Sequence, residues 1–139
     1  MDVTHIPFAK HIGIERKEEG TLKLEPTDIV QNHIQSIHAS AQFALAETQS
    51  GLFLQLTFPE LVGKVVGLLR RSTVKYKNPA ITTIYAIVSI NEEEKNKFLT
   101  QIECKGRAGI LVEVMLKDED DKITMQGEFT WFMQIIKGE

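Results

Sequence analysis

The sequence has a single cysteine, Cys104, in 139 residues. No internal disulfide can form, which excludes a disulfide-stapled secreted scaffold and points to a reducing compartment. Cys104 itself is expected to act as a small buried hydrophobe. No apolar run approaches the ~20 residues needed to span a bilayer, and the first twenty residues, MDVTHIPFAKHIGIERKEEG, lack the basic start and apolar stretch of a secretory signal. The expected location is the cytoplasm, with no membrane partner. Positive charge is not in excess: 16 Lys and Arg face 19 Asp and Glu, a net charge of -3, which argues against a nucleic-acid partner. Four prolines and nine glycines leave no linker, repeat or low-complexity segment, so one domain over 1–139 is expected.

What remains, 42% hydrophobic and 25% charged, is the composition of a globular domain able to bury roughly two-thirds of its unfolded surface. HIGIERK, EEG and TLKLE read as two strands about a glycine turn, after a lead-in with one helical turn beyond Pro7. Residues 36–56 hold good helix formers with Ser36 as N-cap and Pro59 as the stop, and this helix is apolar nearly all round. VVGLLRRSTVKYK and ITTIYAIVSI are β-rich, EEEKNKFLTQIECK is an amphipathic helix, and two alternating runs flank the acidic turn DEDDK as a hairpin. That turn lacks the EF-hand spacing, so it is a solvated loop and no metal is expected. Strands around a segregated helix predict an α+β fold, a largely antiparallel sheet packed on one long helix, with a second subunit covering the helix flank.

One residue stands out in that helix. Between Asp28 and Glu60 lie 31 residues of which Glu47 alone is formally charged. A carboxylate in an apolar helix raises its pKa or finds donors. Two roles follow: a general base or nucleophile, or a structural ion pair with Arg70 or Arg71. Its helical neighbours Ser40, Phe43, Ala44 and Gly51 are mostly small and leave room for a ligand. The helix start, with free N–H groups and the positive dipole end, suits a developing oxyanion. His33 and His38 could ligate a metal, but no third ligand accompanies them and hydrogen-bonded loop roles fit better. Lys64, Arg70, Arg71, Lys75 and Lys77 form a basic tract without negative charge. Strand alternation puts Arg71, Lys75 and Lys77 on one side, Lys64 and Arg70 on the other. Arg71 and Lys75, with the turn Gly106-Arg107, are candidate contacts to the phosphates of a nucleotide-bearing thiol; edge protection is the plainer account.

His38-Ala39-Ser40 and, nine residues after the histidine, Leu45-Ala46-Glu47 are similar to the His-Gly-Gly and Leu-Ala-acid motifs of hotdog-fold acyl-CoA thioesterases of the phenylacetate-pathway type. Asn32 stands fifteen residues before the carboxylate, as in that family, and VKYKNPA and KGRAGILVEVMLKDEDDK extend the resemblance over the chain. It implies a sheet wrapped around one central helix. It also implies hydrolysis of an acyl-CoA or acyl-carrier-protein thioester, with no cofactor beyond the CoA or phosphopantetheine of the substrate. Glu47 would activate water or attack the carbonyl, and the N–H of Ala39, with that of Ser40, would hold the oxyanion. Asn32 would orient carbonyl or water, and His38 would shape the helix start. The site would lie at the interface of a homodimer or dimer of dimers, Asn32 and Glu47 coming from different subunits. Two departures stand against full activity: Ala39-Ser40 adds two Cβ atoms where the family has Gly-Gly, and Gly51 replaces a common hydroxyl residue. Competing functions are a 3-hydroxyacyl-thioester hydratase or dehydratase, which needs His33 or His38 near Glu47, and a non-catalytic acyl-thioester-binding protein.

Overall fold

Helix α2, Ala39–Thr57, is the axis of the molecule and spans ~28 Å. The structure is a computed structural model that describes residues 1–136. Being apolar on nearly every side, α2 needs cover nearly all round. It packs on strands of one sheet, with Leu45 and Ala46 fully buried. Gln49, also fully buried, is satisfied across this packing: its amide oxygen accepts from Leu22 N at 2.7 Å and its amide nitrogen donates to Gly20 O at 2.8 Å. The buried amide thus fixes the helix to the first hairpin, whose turn places Gly20 at φ +83°.

That hairpin is β1, Glu15–Glu18, and β2, Thr21–Leu24, and it follows a short helix α1, Pro7–Ile12. After α2 come β3, Val65–Tyr76; β4, Ile84–Ser89; helix α3, Glu92–Lys105; and the hairpin of β5, Arg107–Lys117, and β6, Ile123–Ile135. All neighbours are antiparallel in the order β1-β2-β4-β5-β6-β3, which leaves β3 as a twelve-residue edge. Asn91 caps α3 by accepting from the amides of Glu93 and Glu94, and three glutamates in the first turn suit the helix dipole. The α+β architecture and every long element agree with expectation.

The differences have local causes. The helix begins at Ala39, not near Ser36, because Asn32–Ser36 closes a loop first: Asn32 N donates to Ser36 O at 2.8 Å and Gln31 bridges Ile37. His38 is therefore the cap. Strand β4 starts at Ile84 rather than 81, since Ala80 O is taken by Ile37 N. Cys104 is exposed, not buried, because α3 turns Phe98 and Ile102 inward and a residue two positions on cannot share their face. The DEDDK turn is ordered around a buried Asp118, whose carboxylate accepts from the amides of Asp120 and Lys122. A bulge between Leu69 and Arg71 shifts the β3 register, so Arg70, seated 4.0 Å over the Phe132 ring, joins Arg71 on the outer face of the sheet. The predicted opposition of these two arginines is therefore corrected.

Candidate functional site

The Glu47 carboxyl has no partner among the described residues. Among the described residues no cation lies within ion-pair distance of it, so pairing with Arg70 or Arg71 is ruled out; both arginines sit on the far side of the sheet. Half-burial pushes its pKa above the ordinary carboxylate value, desolvation being the cause. An unpaired carboxylate in partial burial is proton-hungry, as a general base must be.

The helix start is tightly prepared. His38 Nδ1 accepts from Ser40 N at 3.0 Å, and His38 O accepts from Ala41 N and Gln42 N. Of the first four amides of α2, only that of Ala39 keeps an unengaged N–H. Of the two amides expected as oxyanion donors, that of Ser40 is taken by the cap and that of Ala39 is free among the described residues, and His38 is the helix cap. Tyr76 adds a second tie: its hydroxyl donates to Ala39 O at 3.1 Å, and burial pushes its phenol pKa up. Tyr76 was not predicted, and its register on β3 beside the helix start appears only in three dimensions.

Asn32 is largely used up by its own loop. Its side-chain oxygen accepts from Ile34 N and Ser36 N, both at 3.0 Å, and its nitrogen donates to Ser36 Oγ at 2.9 Å. One N–H of the amide is left for a ligand. Asn32 therefore shapes the approach to the helix. The amide oxygen of Gln42, 4% exposed, has no partner among the described residues.

Glu47 stands at one end of a cavity of about 550 Å³ that follows the C-terminal half of α2. One wall is α2 itself, with Gly51, Leu54 and Phe58; opposite lie Gly67, Trp131 and Met133 of β3 and β6. The N-terminal residues Val3, Ile6 and Ala9 close the third side, so the predicted lead-in is a wall of the cavity. Trp131 Nε1 donates to Ser50 Oγ at 2.8 Å, which fixes the indole against Gly51. A Cβ on Gly51 would stand 3.6 Å from that ring, so the residue is small where the indole crosses the helix. Phe58 lines the cavity, whereas Phe43 packs edge-on against Phe129 of the core.

The structure does not bring the basic candidates to this cavity. Arg71 and Lys75 lie on the outer face of β3, and Gly106 is the left-handed cap of α3 at φ +71°, with Arg107 exposed at the start of β5. None lines the cavity in a single chain. His33 and His38 are exposed, and no group of metal ligands occurs among the described residues. No helix there is long and apolar enough to cross a membrane.

Several solved structures share this fold. A Pseudomonas aeruginosa protein of unknown function described as a probable thioesterase superimposes with a TM-score of 0.83 at 20% identity, covering 96% of this chain and 91% of that one. A thioesterase from Haemophilus influenzae gives 0.77 at 15% identity, covering 99% and 89%. A Bacillus halodurans protein solved with CoA gives 0.70 at 20% identity, covering 91% and 74%. No curated protein matches. At such identities these likenesses establish the hotdog fold, a sheet wrapped around a central helix. The sequence over residues 7–133 matches the family described as a domain of unknown function, DUF4442, and to that family the chain belongs.

Proposed function

We propose that the chain is an acyl-thioester hydrolase acting on acyl-CoA or acyl-carrier-protein substrates. The observation that carries this is the unpaired, half-buried carboxylate of Glu47 at the end of an apolar cavity. Same-fold proteins described as thioesterases, and one solved with CoA, support the reading.

Ala39 and Glu47 are eight residues apart on one helix, ~12 Å along its axis. A single carbonyl cannot touch both. Two copies of α2 running antiparallel about a two-fold axis would set the Glu47 of one subunit beside the Ala39 of the other. The long β3 edge, with Val66 and Leu68 exposed, offers the pairing surface such a dimer needs. In that arrangement Glu47 takes a proton from water as the water oxygen bonds to the thioester carbon. The Ala39 N–H holds the oxyanion. Collapse breaks the C–S bond, and the thiolate leaves with the proton from Glu47.

The hydratase alternative needs an imidazole beside the carboxylate, whereas neither His33 nor His38 lines the cavity with Glu47 in a single chain. The binding-protein alternative is separated by experiment. Free-thiol release from a panel of acyl-CoAs is expected from the wild type and strongly reduced in Glu47→Gln. Equal silence of both, with acyl-CoA still bound, would make the chain a binding protein.

A further inference from the structure

We infer that the cavity beside Glu47 takes a linear, apolar acyl chain of medium length, about a dozen carbons, attached to an uncharged head. This rests on the thioester reading for the identity of that head, but the length and the charge come from the cavity itself.

From Glu47 to Phe58 the cavity follows α2 for eleven residues, ~16 Å of axis. An extended chain covers ~3.5 Å in three bonds, so about a dozen carbons run from the carboxylate to the far end. Phe58 and Phe98, each 3% exposed or less and packed at 4.9 Å between ring centroids, form a wall at that end, beside Leu61 and Val62. The walls between are apolar or glycine, apart from Thr48, whose hydroxyl is donated to Ala44 O, and Gln55.

Charge selects the head group. Among the described residues no Lys, Arg or His side chain lines the cavity, the one ionisable side chain there is the Glu47 carboxyl, and Met1, which brings the α-amino group, is 79% exposed. A site for a free fatty acid would supply a cation for the carboxylate. Here a carboxylate would meet another, so an ester-like carbonyl is accepted and the acid formed by hydrolysis is repelled. Gly51 sets the gauge near the mouth, one turn from Glu47. A larger side chain there would block the path at about four to six carbons, and it would do so against the indole of Trp131.

Binding of CoA and of saturated acyl-CoAs from two to sixteen carbons to Glu47→Gln, measured by calorimetry without turnover, tests this, together with hydrolysis by the wild type. Affinity is expected to rise about two- to fourfold per methylene up to ten to fourteen carbons and then level. Dodecanoate, which is not turned over, should bind the wild type at least tenfold more weakly than it binds Glu47→Gln, where the repelling carboxylate is gone. Added to Glu47→Gln, the Gly51→Leu substitution should end the rise at about six carbons. A flat series, or hydrolysis that peaks at two to four carbons, would overturn the inference, as would dodecanoate binding the wild type as tightly as Glu47→Gln. A rising series without any hydrolysis would uphold the chain-length inference and defeat the hydrolase.

Discussion

The two halves of α2 are built on opposite plans. Its start is exposed, polar and tied by hydrogen bonds: His38 caps it, Asn32 closes the loop before it, and Tyr76 reaches it from β3. Its second half is apolar, faces open space along one side, and carries near its start a carboxylate with no partner among the described residues. A helix that only filled a core would be packed along its whole length. On the proposed reading one half fixes a reacting atom and the other holds what is attached to it. Since the two lie ~12 Å apart in one chain, that reading requires the cooperating halves to belong to two chains.

The contrast can be broken most severely at the carboxylate. Glu47→Gln is expected to lower turnover by about a hundredfold to ten-thousandfold, the scale of a lost acid-base group. Thiol release at saturating acyl-CoA reads it directly, and unchanged release would remove Glu47 from the chemistry. At the other half, Ala39→Pro deletes the one free N–H without opposing the helix. Proline is favoured at a first helical position, and His38 already has φ -58° and ψ 140°, the region that precedes proline. A loss of about a hundredfold to a thousandfold is expected with circular dichroism unchanged, the scale of one oxyanion donor. Full activity in a folded Ala39→Pro protein would move the oxyanion site elsewhere.

Asn32 sharpens the comparison, because its bonds assign it to structure. Asn32→Ala should cost about 1–3 kcal/mol of stability for three lost hydrogen bonds, read in urea unfolding. Asn32→Asp keeps the two accepted amides, so it should retain most turnover; a collapse comparable to that of Glu47→Gln would show that the remaining N–H touches substrate.

A smaller effect concerns pH. Glu47 has a folded pKa above its unfolded one, so the protonated form favours folding. That contribution is whole below the unfolded value and is lost as pH rises through the folded one. The melting temperature of Glu47→Gln should therefore gain on the wild type from acid to neutral pH. A gap that closes over that range would mean the carboxylate is stabilised by a partner.

Much of this was legible in the sequence. The alternation of β5 and β6, the bounds of α3 at 92–105 and the isolation of Glu47 follow from local pattern, and the structure keeps them. What escaped depends on contacts distant in sequence. Ser36 has the chemistry of a cap, but the loop closed by Asn32 spends it before the helix starts. The bulge that puts Arg70 beside Arg71 leaves no mark in residue type, since alternation counts positions and a bulge adds one. The wall role of Val3, Ile6 and Ala9 arises only when the lead-in folds back over α2. Trp131 shared a strand face with Met133 in the pattern, and nothing local said that its indole would reach Ser50. Pattern reports which face is buried, and tertiary packing decides what it meets there.

The central claim is that each site takes its carboxylate from one subunit and its oxyanion donor from another, and subunit exchange tests it most directly. Glu47→Gln and Ala39→Pro proteins, each nearly inactive, are dissociated, mixed in equal amounts and reassociated. Random pairing gives half heterodimers, each with one intact site, so about a quarter of wild-type activity should return. If both groups of a site came from one chain, every site in the mixture would carry a lesion, and no return of activity would contradict the account.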